Sequence, residues 1–519
     1  MVSTVVMDIQ PSSARATGIA SLSTRRVSRQ TGERPECIYL ASQTRPAVPE
    51  AASSEHSAFS EPPWQYDSVR LSILPLLLFA AASLSPAQSG QPTYYSVPPS
   101  DAPELAARGS YSVGVRTIQF VAPRNQPDIL RFDKNSGKAP LYDRPLTVEV
   151  WYPAVIPSGQ QEQTTYRMPA PGSKSSADPA IFEIPDKALR DAPPVKDASF
   201  PLVIVSHGYP GSRYFLSYLT ANLASKGFVV AAIDHTDSVF GDVKGFESTL
   251  LNRSSDQLMT IESLEKLSQK HDHFLHGLAD TSKVAIVGYS MGGYGAIISG
   301  GAGISGSSGL LKAVPGGYLR DWTAGDPKFQ ALDRSRIKAI VAIAPWGEQP
   351  PYQAWDADGL AAIRIPSLFI AGDHDDVADY ANGIKKAFEL AVHSERCLLV
   401  YENARHNTGG NPAPVGAPLD YGLLQSFDEP VWRKDRIDSI NQHFITAFLD
   451  LYLKGDRSKA EFLHVAPVRS DDGQWPAQSM ARDKGEYSAG KDGSGNEFWK
   501  GFQRRWSLGL EMSCSAARD

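Results

Sequence analysis

Six short runs of unbroken apolar residues constrain this chain more than any other feature. They are "FPLVIVSHG" (200–208), "GFVVAAIDH" (227–235), "KVAIVGYS" (283–290), "IKAIVAIAPW" (337–346), "IPSLFIAGD" (365–373) and "CLLVYENARH" (397–406). Such runs fit strands of a parallel sheet covered on both faces, not strands with one wet side. Between them lie stretches of helical period: "SRYFLSYLTANLASKG", "SSDQLMTIESLEKLSQKHDHFLHGL", "MGGYGAIISGG", "DYANGIKKAFELAVHS" and "RIDSINQHFITAFLDLYLKG". Strand and helix alternating in this way predict an α/β fold with a mostly parallel, doubly wound sheet. Two earlier segments, "YSVGVRTIQFVA" (111–122) and "PLTVEVWYPA" (145–154), alternate apolar and polar and predict antiparallel N-terminal strands.

The chain before residue 88 reads differently. Residues 1–68 are rich in Ser, Ala, Pro and Arg without period, as a disordered leader or a misplaced gene start would be. "VRLSILPLLLFAAASLSPAQSG" (69–90) has a basic start, an apolar stretch and small residues at Ser85-Pro86-Ala87. It predicts a signal peptide over 69–87 and a secreted or periplasmic protein, the apolar stretch being too short to span a bilayer. The domain is then expected over 88–519, with insertions near 158–197 and 301–333 and a C-terminal extension, 457–519. That extension carries a late amphipathic piece, "FWKGFQRRWSLGLEM", expected to dock back on the domain. The net charge of −6 provides no basic footprint for nucleic acid. Three cysteines form no zinc spacing, and whether Cys397 and Cys514 pair is open at this level.

In an open α/β sheet, ligands bind at the carboxyl ends of the strands. That rule selects Ser290, the acidic group Asp373, Asp375 and Asp376, His406, the turn His207-Gly208-Tyr209, and Trp346. Ser, Asp and His in that chain order suit nucleophilic catalysis: an imidazole takes the proton of an otherwise weak hydroxyl nucleophile, and a carboxylate holds the imidazole. His406 alone follows the strand after the acid. A Gly-x-x-Asp spacing from Gly372 favours Asp375, with Asp373 and Asp376 as rivals. The backbone amides of Met291 and Tyr209 are the expected oxyanion donors. Trp346 is expected to wall the substrate cleft, the alternative being that it packs under the loop that follows. His271, His273 and His276 are expected on the solvated face of a helix rather than around a metal.

These motifs resemble the α/β-hydrolase superfamily across roughly 111–454. More narrowly, "YSVGVRTIQF", "LTVEVWYPA", "VIVSHGYPGSR", "VAAIDHTDS", "VAIVGYSMGGYGA" and "WKGFQRRWSLGLE" resemble predicted bacterial dienelactone hydrolases and plasma-type platelet-activating factor acetylhydrolases. "SHGYPG", "GYSMGG", "APW" and "GDHDDVAD" are also similar to secreted cutinases. The resemblance implies an α/β-hydrolase fold and a Ser290, Asp375, His406 triad. It implies a serine esterase that needs no cofactor, acting on a small-molecule or lipid ester. Serine at 290 departs from dienelactone hydrolases, which use cysteine. A phospholipid acetylhydrolase, a cutinase-like polyesterase and an inactive hydrolase fold used for binding are the alternatives.

Overall fold

A computed structural model describes residues 93–121, 126–172, 180–414, 417, 420–474, 499–503 and 505–519. The leader and signal segment expected at 1–87 lie outside them, as do parts of the 158–197 insertion and of the C-terminal extension. The main sheet is built from β1 (Ser112–Val121), β2 (Pro145–Ala154), β3 (Phe200–Ser206), β4 (Val229–Asp234), β5 (Ala279–Tyr289), β6 (Ile337–Ile343), β7 (Ser367–Gly372), β8 (Arg396–Tyr401) and β9 (Leu510–Ser515). Its order is β9-β8-β7-β6-β5-β3-β4-β2-β1, with the two-residue strand Leu189–Arg190 beyond β1. β3 to β8 are mutually parallel, while β1 and β2 run antiparallel to each other, and β2 runs antiparallel to β4. The apolar runs are buried along their length in β3, β7 and β8. That burial on both faces is why they carry no polar alternation.

The helices that cover the sheet are α1 (Ser217–Ser225), α2 (Phe246–Ser268), α3 (Met291–Ser299) and α4 (Lys434–Leu449). After β3 the chain crosses to β4 on one side. It then returns through α2 to place β5 on the other side of β3. β3 and β5 therefore flank the point where the winding reverses, and their carboxyl ends open the crevice in which ligands bind.

Three segments differ from their sequence pattern in instructive ways. α2 begins at Phe246, ahead of the apolar period, and ends at Ser268. The His271–His276 cluster accordingly lies in the turns after the helix, not on it. The 158–197 insertion contains a hairpin, Thr164–Pro169 with Ile181–Asp186, whose Tyr166 and Met168 are buried. In the late "FWKGFQRRWSLGLEM" piece, Trp499 and Phe502 pack against Phe444 of α4, and Leu510 onward forms β9. β9 pairs with β8 so that Cys397 faces Cys514, and the two form a disulfide.

Candidate active site

Ser290 stands at the turn between β5 and α3 with φ 53° and ψ −115°. A non-glycine residue with positive φ is strained, and such strain persists only where surrounding structure holds it. Here the Ser290 N–H donates to Ile343 O at 2.9 Å, and its carbonyl accepts from Tyr294 N–H at 3.0 Å and Trp346 N–H at 3.2 Å. The flanking glycines are a packing requirement. A Cβ on Gly292 would sit 1.9 Å from Ser206 O, and one on Gly288 would sit 2.1 Å from Gly292 O. The serine thus projects its side chain from a turn pressed against the end of β3.

The loops after β7 and β8 supply the partners. His406 Nε2 lies 3.0 Å from Ser290 Oγ, and His406 Nδ1 lies 2.8 Å from Asp375 Oδ2. The other carboxylate oxygen of Asp375 accepts Val377 N–H at 2.9 Å and Ala378 N–H at 2.8 Å. Its two neighbours are engaged elsewhere. Asp373 contacts His374 and Asn403, and Asp376 pairs with Arg405. Burial works to raise the Asp375 pKa, but the facing imidazole and the two amides hold it below its ordinary value. Burial likewise works to depress His406, and the Asp375 carboxylate, with Glu429 and Asp376 behind it, leaves the imidazole above its ordinary value.

The turn after β3 lies directly beside the serine: a Cβ on Gly208 would sit 3.3 Å from Ser290 Cβ. Tyr209 follows Gly208 in that turn, and Met291 opens α3, where the first helix N–H groups lack intrahelical acceptors. The Tyr209 ring itself turns away, its hydroxyl donating to Lys244 O at 2.7 Å. Behind the turn sits a buried polar network. Arg253 of α2 donates to His207 O at 2.9 Å and to Ser238 Oγ at 2.7 Å. His207 is an anchor rather than a reacting group: burial keeps it well below its usual pKa, and its Nδ1 lies 2.7 Å from Gly208 O.

The same network holds a second Ser-His-Asp chain. Ser206 Oγ is 2.8 Å from His235 Nε2, and His235 Nδ1 is 3.0 Å from Asp256 Oδ2. None of the three is more than 1% exposed, and burial pushes His235 down to about 3. Arg144 occupies the far side of Asp256. This chain offers no hydroxyl to a ligand, so exposure rather than residue type separates the two constellations.

Trp346 adjoins Ser290 through its backbone, but its indole is only 8% exposed. It is packed between Phe246 (centroids 5.3 Å apart) and Tyr352 (4.6 Å), and Phe246 meets Tyr209 at 5.0 Å. Tyr209, Phe246, Trp346 and Tyr352 therefore form a continuous row of packed rings. Phe246 and Tyr352 had no signal in the sequence, since neither ends a strand. The 301–333 segment braces this row from behind, with Ser308 Oγ donating to Tyr352 O at 3.0 Å and Ser305 N–H to Ala354 O at 2.8 Å. A cleft of about 770 Å³ between α2 and that segment, bordered by Leu251, Leu258, Trp322 and Arg336, has none of these site residues in its lining. Among the described residues, no three His, Cys, Asp or Glu side chains are grouped to hold a metal.

A family model for platelet-activating factor acetylhydrolase, isoform II, matches residues 186–272. Cutinase 2 of Thermobifida cellulosilytica is 25% identical over 235 residues, which cover 45% of this chain and 71% of that protein. Cutinase est1 of Thermobifida alba is 23% identical over 214 residues, 41% of this chain, and the chain spans 55% of its length. A ferulic acid esterase from Streptomyces cinnamoneus has a solved structure that is 19% identical, with a TM-score of 0.43 over 68% of this chain and 94% of that one. The strand order and the strained turn at Ser290 are those of an α/β-hydrolase fold, and the sequence matches give it cutinase-like and platelet-activating factor acetylhydrolase-like features.

Proposed function

We propose that this protein is a secreted serine hydrolase that cleaves short-acyl carboxylic esters through an acyl-enzyme. The observation that carries the reading is the unbroken chain Ser290 Oγ, His406, Asp375 at the crevice. His406 Nε2 takes the Oγ proton as the oxygen attacks the ester carbonyl, and the imidazolium that forms is stabilised by Asp375. The carbonyl oxygen becomes an oxyanion facing the amides of Tyr209 and Met291. Collapse expels the alkoxide, which leaves with the proton from His406. Water then enters, gives a proton to His406, and releases the acid by the same route in reverse.

The similarity to cutinases supports a second reading, a polyesterase acting on aromatic or aliphatic ester chains. The disulfide between β8 and β9 supports an oxidising compartment and hence secretion. No helix among the described residues is long and apolar enough to cross a membrane.

The test uses the purified full chain. A fluorophosphonate probe should label wild type at Ser290 and leave Ser290→Ala unlabelled. A panel of acetyl, butyryl, octanoyl and benzoyl esters, a polyester film and acetyl phospholipid vesicles then ranks the substrate classes. Absence of both labelling and hydrolysis refutes the enzyme reading in favour of a binding protein. Preference for the film or the vesicles over soluble acetyl esters replaces the short-acyl assignment.

A further inference from the structure

We infer that Glu429 is a positioning residue for the base, its carboxylate straddling His406 by accepting the backbone N–H groups on both sides of it. The inference rests on the reading of Ser290, His406 and Asp375 as a working triad. Glu429 Oε2 accepts from Arg405 N–H and Oε1 from Asn407 N–H, each at 2.6 Å. The residue is only 7% exposed, so these charge-assisted bonds are made largely out of water.

His406 needs such a tie because it belongs to an irregular loop after β8, where no ladder fixes its backbone. The neighbouring Asn407 side chain donates to Gln425 O at 2.8 Å and Asp428 O at 3.0 Å. The 425–429 segment therefore grips the base loop at four points, two of them on one carboxylate. A neutral amide of the same shape would turn its NH₂ group toward one of the two N–H donors, because these donors bond different oxygens of Glu429.

The carboxylate has a second consequence. The titratable and charged groups that face the imidazole are Asp375 after β7, Asp376 with its partner Arg405, Tyr289 at the end of β5, and Glu429. Glu429 therefore adds a negative charge that favours the imidazolium formed as Ser290 attacks. Burial raises the pKa of Glu429 itself, and its two amide bonds oppose that rise.

The experiment compares wild type, Glu429→Gln and Glu429→Asp as full chains, measuring kcat and KM for a soluble acetyl ester from pH 4.5 to 9. Fluorophosphonate labelling and hydrolysis by wild type come first. If wild type does neither, the triad reading falls, and this inference falls with it. With an active wild type, Glu429→Gln should lose roughly 10–100-fold in kcat, the scale of a displaced catalytic group, with KM little changed. Its acid limb should also move to lower pH, because a charge that favours imidazolium is gone. Glu429→Asp keeps the charge but cannot reach both amides, so kcat should fall while the limb stays in place. Wild-type kcat in Glu429→Gln overturns the positioning role, and an unmoved limb overturns the electrostatic one. Should Glu429→Gln fail to fold, Glu429→Asp decides alone, and wild-type kcat in that variant overturns it.

Discussion

Replacing Asp375 by Asn should cost more than the loss of one charge, because the surrounding hydrogen bonds dictate how the amide sits. Oδ1 of Asp375 accepts two backbone N–H groups, from Val377 and Ala378. In Asp375→Asn the amide oxygen must occupy that position, since an NH₂ there would face two donors. The NH₂ group then points at His406 Nδ1, now 2.8 Å from Oδ2. It forces Nδ1 to act as acceptor and puts the ring proton on Nε2, which faces Ser290 Oγ at 3.0 Å. An Nε2 that already holds a proton cannot take one from the serine. A triad trapped in the wrong tautomer loses about 10⁴ in kcat, which corresponds to about 5 kcal/mol of transition-state stabilisation. The assay is kcat and kcat/KM for an acetyl ester, with melting temperature measured beside it to show an intact fold. Asp373→Asn and Asp376→Asn serve as controls, since their carboxylates engage His374, Asn403 and Arg405 instead. A loss under tenfold in Asp375→Asn, or a crippling loss in either control, refutes the reasoning.

The pH profile carries its own sign. Attack requires neutral His406, and the imidazole is held above its ordinary value of 6.5 once Asp375 outweighs burial. kcat/KM should therefore be low in acid and rise through a midpoint above 6.5, and a midpoint at or below that value counts against the buried pair. Trp346→Ala removes an indole that is 8% exposed between Phe246 and Tyr352. It should destabilise the fold by about 3–5 kcal/mol, read from denaturant unfolding, and shift acyl preference toward bulkier esters; unchanged stability would mean that the ring is not packed as described. Reducing the Cys397–Cys514 bridge frees a loop with a sequence separation of 117 and should cost about 3–5 kcal/mol of stability. Activity at room temperature should survive reduction, because none of the triad contacts passes through β9. Loss of activity without unfolding would assign β9 a role in shaping the His406 loop.

The local chemistry of this chain was legible before its shape. Unbroken apolar runs announce a parallel sheet because burial on both faces leaves no position for a polar residue. "GYSMGG" announces a strained turn because α3 lies too close to β5 for a Cβ at Gly288 and too close to the end of β3 for one at Gly292. Chain order and strand ends were enough to nominate Ser290, His406 and an acid within "GDHDD", since strand ends are where an α/β sheet presents its side chains. What the sequence could not reveal are contacts between residues far apart in the chain. Asp373, Asp375 and Asp376 are chemically equal in "GDHDD", and only the path of the loop after β7 turns one of them toward His406. Ser206, His235 and Asp256 reproduce the triad's composition and spacing, and only burial disqualifies them. Phe246 lies at the start of α2, Tyr352 in a loop and Glu429 in a turn, so neither periodicity nor strand position marks them. Phe246 and Glu429 acquire their places through partners more than twenty positions away, and Tyr352 through the fold of its own loop against Trp346. The pairing of Cys397 with Cys514 is of the same kind, decided by β9 folding back beside β8 with the two cysteines in register. Sequence determines such features only through the whole fold, because their energy belongs to contacts that only the folded chain brings together.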